Sequence, residues 1–141
     1  MAPSDNETNA AFLRKVAAVL GASGVGLGAI GAHAFKKTLT ERGTAASWQT
    51  ATIYQLFHAT AILGLSTTLS MKASKNGSAS GKAEDGSMTL LAGQLLSLGT
   101  VMFSGSIYCL ALNVGPKALL GPTTPLGGLL MIGGWVVVGL S

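Results

Sequence analysis

From Val16 to Phe35 the chain runs for 20 residues without a formal charge, interrupted only by His33 near its end. A helix rising about 1.5 Å per residue covers about 30 Å in that length, which is the hydrocarbon thickness of a bilayer. The run is therefore read as a membrane-spanning helix. Its small residues keep a fixed rhythm: Ala17, Gly21, Gly24, Gly28 and Gly31 are spaced four, three, four and three apart. On a helix they fall in one stripe and form a groove that another helix can enter closely. Gly26, Gly28 and Gly31 also match the GxGxxG spacing of dinucleotide-binding turns. That chemistry needs a preceding β-strand and an acidic residue about 20 positions on, and neither is present.

Composition supports the same class. Of 141 residues 48% are hydrophobic and only 10% charged, less charge than a soluble domain carries. Nine basic and five acidic residues give a net charge of +4. The bases lie between apolar runs and form no face interleaved with aromatics, so they are read as membrane flanks rather than a nucleic-acid surface. The single cysteine, Cys109, excludes an internal disulfide and a CxxC metal motif.

Along the chain, residues 1–15 read as a polar tail ending in Arg14 and Lys15. Ala32-His33-Ala34 has the form of a signal-cleavage site, but the apolar run exceeds the usual signal core and is expected to be retained. Residues 36–47 suggest a short interfacial helix capped by Thr40, with Trp48 marking the water–lipid boundary. A second span is expected over about 50–71, with Tyr54, Gln55 and His58 on one face. Residues 72–87 are rich in Gly, Ser and Lys and are read as a mobile loop. A third span covers 88–112, where Gly93, Ser97, Thr100 and Ser104 repeat the small-residue stripe, so that spans one and three are expected to nest. Three prolines and two glycines then interrupt the chain, and Thr124-Pro125 opens a fourth span over 123–140.

His33, Tyr54, Gln55, His58, Ser106 and Tyr108 fall toward one leaflet and form the candidate polar cluster. An ionisable residue in a span is a functional candidate by default. The simplest role for His58 is structural, exchanging hydrogen bonds with Tyr108, Ser104 or Gln55. A haem held between His33 and His58, or a proton path through His58, Tyr54 and Gln55, are the sharper alternatives. No carboxylate or arginine lies in a span to complete a relay, and no Ser-His-acid set, carboxylate pair or phosphate loop offers catalysis. No catalytic, cofactor or metal residue is assigned, and an enzyme is not expected.

The segments GVGLGAIGAHAFKK, WQTATIYQLFHA, FSGSIYCLAL and GPTTPLGGLLMIGGW together resemble a family of small four-helix membrane proteins, domain of unknown function 423, which includes the transmembrane protein 256 group. Its GAH motif falls on Gly31, Ala32 and His33, its YQ-x-x-H motif on Tyr54, Gln55 and His58, and its GS-x-Y motif on Gly105, Ser106 and Tyr108. Its proline-glycine signature falls on Pro125, Gly127 and Gly128. Where many bacterial members carry glutamate and arginine, this chain has Gln49 and Ile53, so an ion pair there is not essential to it. The resemblance implies a multi-pass protein of a bacterial or mitochondrial inner membrane and carries no settled activity. The expectation is an all-α polytopic membrane protein with four transmembrane helices in a bundle. Its expected role is a non-catalytic accessory or scaffold subunit of a larger membrane complex, its partners the lipid bilayer and other membrane subunits. A small proton or solute conduit is the alternative.

Overall fold

Ser4 starts the first helix. Its hydroxyl accepts the Glu7 N–H at 3.3 Å while the Glu7 carboxylate accepts the Ser4 N–H at 2.7 Å, a reciprocal cap that satisfies two orphan donors. Helix α1 therefore spans Asp5–Ala32 and begins well ahead of Val16. Most of the expected polar tail is its first turns, and Arg14 is tied into the bundle by a 3.1 Å bond to the Ser70 hydroxyl. The computed structural model describes residues 4–76 and 85–141.

Helix α2 (Lys36–Glu41) follows at once; its N-cap is Phe35, and Thr40 lies inside it, donating to the Lys36 carbonyl. Gly43, at φ 67°, ends it, with the Gly43 and Thr44 N–H groups closing onto the Thr40 and Leu39 carbonyls. Helix α3 (Ala45–Asn76) and helix α4 (Ser87–Ala111) form the middle of the molecule. The expected loop is thus shortened at both ends: Lys72–Asn76 continue α3, Ser87 opens α4, and residues 77–84 lie outside the described residues. Lys72 closes the junction by donating to the Asp85 carbonyl and the Thr89 hydroxyl, each at 3.2 Å. The Asp85 carboxylate accepts from the Ser87 hydroxyl and backbone N–H, which hold it below the usual carboxylate range.

Helix α5 runs Lys117–Leu140, six residues earlier than the expected fourth span, with Pro122 and Pro125 inside it. Each proline removes one backbone donor. The carbonyls affected, those of Ala118 and Gly121, sit on exposed residues near the helix start. Thr123 and Thr124 add side-chain donors to the Leu119 and Leu120 carbonyls beside them. The helix therefore continues through a segment that composition marks as a breaker.

Among the described residues α1, α4 and α5 are each long and apolar enough to cross a membrane. α3 is the longest helix at 32 residues but carries more polar side chains.

The helices stand in a row, α1 against α3, α3 against α4, α4 against α5, and the residue pairs along each seam run in opposite directions, so each is antiparallel to its neighbour. Contact between α1 and α4 is minor, so the expected nesting of spans one and three is not what the fold does. The α1 stripe faces α3 instead. A Cβ at Gly24 would meet Leu56 at 2.8 Å, one at Gly28 would meet Thr52 at 3.1 Å, and one at Gly31 would fall on the Trp48 indole. Ala17 is buried with this seam, whereas Gly21 has no neighbour where its Cβ would be. The α4 stripe is divided among three partners. Gly93 receives Leu13 of α1, Ser104 donates to the Ala51 carbonyl of α3 at 2.9 Å, and Thr100 contacts the Met131 sulfur of α5 at 3.8 Å. Ser97 turns back onto the Gly93 carbonyl at 2.6 Å. The reason is steric: a groove accepts a large side chain as readily as a second groove, and the sequence-adjacent helix is tethered nearest to it.

The closest backbone approach joins α4 and α5. A Cβ on Gly127 would lie 2.5 Å from the Phe103 nitrogen and 2.8 Å from the Gly99 oxygen, and one on Gly134 would lie 2.7 Å from Leu96. Two apolar clusters fill the interior. Leu13, Leu20, Ile62, Leu69, Leu96 and Met131 form the larger, and Leu39, Trp48, Ala51, Tyr108 and Ala111 the one beneath α2.

Candidate functional site

Gln55 is the hub of the polar interior. It leaves α3 between α1 and α4, donates to the Leu20 carbonyl and the Ser23 hydroxyl at 2.9 Å each, and accepts from the Tyr108 hydroxyl at 3.0 Å. Tyr108 also reaches the Thr52 hydroxyl at 3.2 Å and packs against the Trp48 ring, 4.6 Å between centroids. Trp48 is buried against the protein, and its indole N–H donates to the Leu27 carbonyl at 2.9 Å. One side chain thus bolts α3 to α1 on one side and α4 on the other.

This network predicts the effect of removing it. Gln55→Leu breaks three interhelical bonds, and at about 0.6 kcal/mol each in a membrane the loss is about 2 kcal/mol. Unfolding in detergent, run as a double-mutant cycle with Tyr108→Phe, should show a positive coupling between the two positions; additive effects would contradict the bond.

His58 belongs to a separate group. Its Nδ1 lies 2.8 Å from the Tyr54 carbonyl and its Nε2 3.3 Å from the Trp135 indole nitrogen. A carbonyl can only accept and an indole N–H can only donate, so Nδ1 carries the proton and Nε2 is the acceptor of a neutral ring. The sequence-based pairing of His58 with Tyr108 is therefore replaced by one with Trp135. Tyr54 and His58 stack one turn apart while Gln55 is turned away, so the three do not share a working face. Both ring nitrogens of His58 are engaged, and among the described residues no group of His, Cys, Asp or Glu is arranged to hold a metal.

Ser106 sits elsewhere, 2.6 Å from the Thr124 hydroxyl of α5. His33 caps the C-terminus of α1 and is exposed, outside any cluster. Thus the six residues of the expected polar cluster fall into four places, and no continuous relay connects them. Two residues outside the expected cluster complete the bundle end: the Arg42 guanidinium donates to the Leu112 carbonyl, and Thr44 donates to the Ala111 carbonyl at 3.1 Å. Both serve unpaired carbonyls at the C-terminus of α4, where a cation is also favoured by the helix dipole. No buried side-chain nitrogen or oxygen among the described residues lacks a partner.

The side chains around His58 enclose an open groove of about 380 Å³ between α3, α4 and α5, lined by Tyr54, Phe57, His58, Phe103, Gly128 and Trp135 among others. A second groove of about 510 Å³ lies between α1, α2 and α3 beside Gly28, Gly31, Lys36 and Trp48.

Residues 27–128 match the family described as protein of unknown function (DUF423). A UPF0382 membrane protein of Schizosaccharomyces pombe is 36% identical over 126 residues, covering 87% of this chain and 94% of the relative. The UPF0382 inner membrane protein YgdD of Escherichia coli K12 is 38% identical over 130 residues, 90% of this chain and 86% of the relative. A UPF0382 membrane protein of Staphylococcus epidermidis is 38% identical over 131 residues, 88% and 92% of the two chains. No solved structure matches the chain.

Proposed function

This chain belongs to the DUF423 family of membrane proteins, and we propose from that premise that it crosses the bilayer four times and serves as a non-catalytic packing subunit of a larger membrane assembly. The fourth crossing is α3. It lies antiparallel between α1 and α4, both of which are apolar enough to span, so it runs through the same slab. Its threonines return their hydroxyls to their own helix: Thr50, Thr60, Thr67 and Thr68 each donate to a carbonyl four residues back. That removes most of the cost of carrying a hydroxyl into hydrocarbon.

The observation that carries the packing role is the outer face of α1. Ala18, Ala22, Val25, Ala29 and Ala32 are all exposed and spaced four, three, four and three apart. Lipid tails fill the surface of a bulky helix well, but a smooth face lets another helix approach to backbone contact. The outer face of α5, with Leu126, Leu129, Val136 and Leu140 exposed, has the bulky character suited to lipid. An inner membrane is the proposed location, by likeness to the bacterial relative, and the mitochondrial inner membrane in a eukaryotic cell. The test is Ala22→Leu with Ala29→Leu, read by native electrophoresis of mildly solubilised membranes. The variant should fold and insert but migrate as the 14.1 kDa chain alone, whereas the unaltered protein and a Leu129→Ala control stay in a larger species. Equal migration of all three overturns the reading.

A further inference from the structure

We propose that the groove between α3, α4 and α5 is a binding site for a lipid-soluble planar ring bearing a carbonyl, the chemistry of a quinone headgroup. This goes beyond the packing role and rests only on the reading that α3 crosses the bilayer. The groove opens to the side of the bundle, with Tyr54 42% and Trp135 41% exposed, so a ligand dissolved in the bilayer enters laterally. Its volume of about 380 Å³ falls within the roughly 300–1,000 Å³ of small-molecule sites.

The walls are aromatic. The Tyr54 and Phe103 rings stand 4.8 Å apart and those of Phe57 and Trp135 5.9 Å apart, while His58 closes the back. Flat rings suit such walls through offset and edge-on contacts. The polar groups then select among flat rings. The Tyr54 hydroxyl has no hydrogen-bond partner among the described residues, and Tyr54 lies about 6 Å along α3 from the expected start of the span near residue 50. In a membrane interior a hydroxyl without a partner is costly, and a ligand carbonyl is an acceptor that satisfies it. An acyl chain leaves that donor unmet. A haem fits no better, because His58 already donates to the Tyr54 carbonyl and accepts from Trp135, with no lone pair free for iron. Gly128 forms the floor: a Cβ there would meet only Phe103, at 3.9 Å, so the floor is open and not compressed.

Benzoquinones and naphthoquinones share this chemistry. The experiment titrates decylubiquinone, and separately menadione, into the protein in phosphatidylcholine nanodiscs and follows quenching of tryptophan emission. Saturable quenching is expected, lost in Trp135→Phe. Tyr54→Phe, which keeps the ring and removes only the hydroxyl, should weaken binding about tenfold. Gly128→Leu, which fills the groove, should abolish it, while decylbenzene, a ring without a carbonyl, should not compete. Both variants are first shown to unfold at the same midpoint as the unaltered protein; should Gly128→Leu fail this, Tyr54→Phe carries the test. Quenching that rises without saturation and equally in all proteins means partitioning alone and overturns the site. Saturable quenching that decylbenzene competes away, or that Tyr54→Phe leaves unchanged, overturns the carbonyl assignment.

Discussion

Gly127→Ala should cost the fold about 3 kcal/mol, while the same change one residue on, Gly128→Ala, should cost close to nothing. The two glycines are neighbours on α5 with opposite surroundings. A methyl at Gly127 would sit 2.5 Å from the Phe103 nitrogen and 2.8 Å from the Gly99 oxygen, both backbone atoms of α4. Backbone cannot swing aside as a side chain does, so the helices have to separate, and overpacking of this kind costs about 1–3 kcal/mol or more. Separation also loosens Met131 from Gly99 and Leu96 from Gly134, which share the seam. A methyl at Gly128 meets Phe103 at an ordinary 3.9 Å. Helix propensity alone would favour alanine at both places, by about 0.8–1.0 kcal/mol. The pair of unfolding midpoints in detergent isolates the packing effect; equal values would mean that α4 and α5 do not approach as described.

Gly31→Ala is expected to be nearly as damaging, at about 3 kcal/mol, by another route. The added methyl would occupy the place of the Trp48 indole, which is buried between α1, Phe35 and Tyr108 and donates to the Leu27 carbonyl. A rigid bicyclic side chain has few other rotamers, so the change expels it, losing its apolar burial together with its hydrogen bond. Gly24→Ala should be milder because the atom it meets is the end of Leu56, and Gly21→Ala should be tolerated because nothing lies there. Trp48 fluorescence reports the outcome directly: a shift to the red in Gly31→Ala marks an indole forced toward water or headgroups. Emission unchanged from the parent would contradict the seam.

The sequence made the class of molecule plain and its internal pairings obscure. Long uncharged runs are a direct consequence of the bilayer, so the helices around Val16 and Met88 are readable by length alone. A small-residue stripe identifies a face that will be approached closely, and Gly24, Gly28 and Gly31 are approached closely. It does not say by what. Here the occupants are Leu56, Thr52 and Trp48, whose size gives no hint that they fill a groove 17 to 32 residues away in the chain. The same limit applies to His58, whose partner Trp135 is 77 positions distant on the last helix. Caps were missed or misplaced where chemistry and context disagree. Ser4 and Glu7 have the required spacing but precede the apolar run by a dozen residues, and Thr124-Pro125 imitates a helix start inside one already begun at Lys117. Arg42 looked like a membrane flank, and its service to the end of α4 depends on tertiary placement that no local pattern encodes.

The bundle requires α3 to cross the bilayer beside the other three helices. With Cys109, the single cysteine, replaced by alanine, one cysteine is placed at Ser4 and, in a second protein, at Ser141. Each is labelled with a membrane-impermeant maleimide in sealed vesicles of known orientation. Four crossings put both positions on the same side, so both proteins should label, or both be protected, until detergent is added. Labelling of one and protection of the other would mean an odd number of crossings, with α3 failing to span, and would contradict the bundle described here.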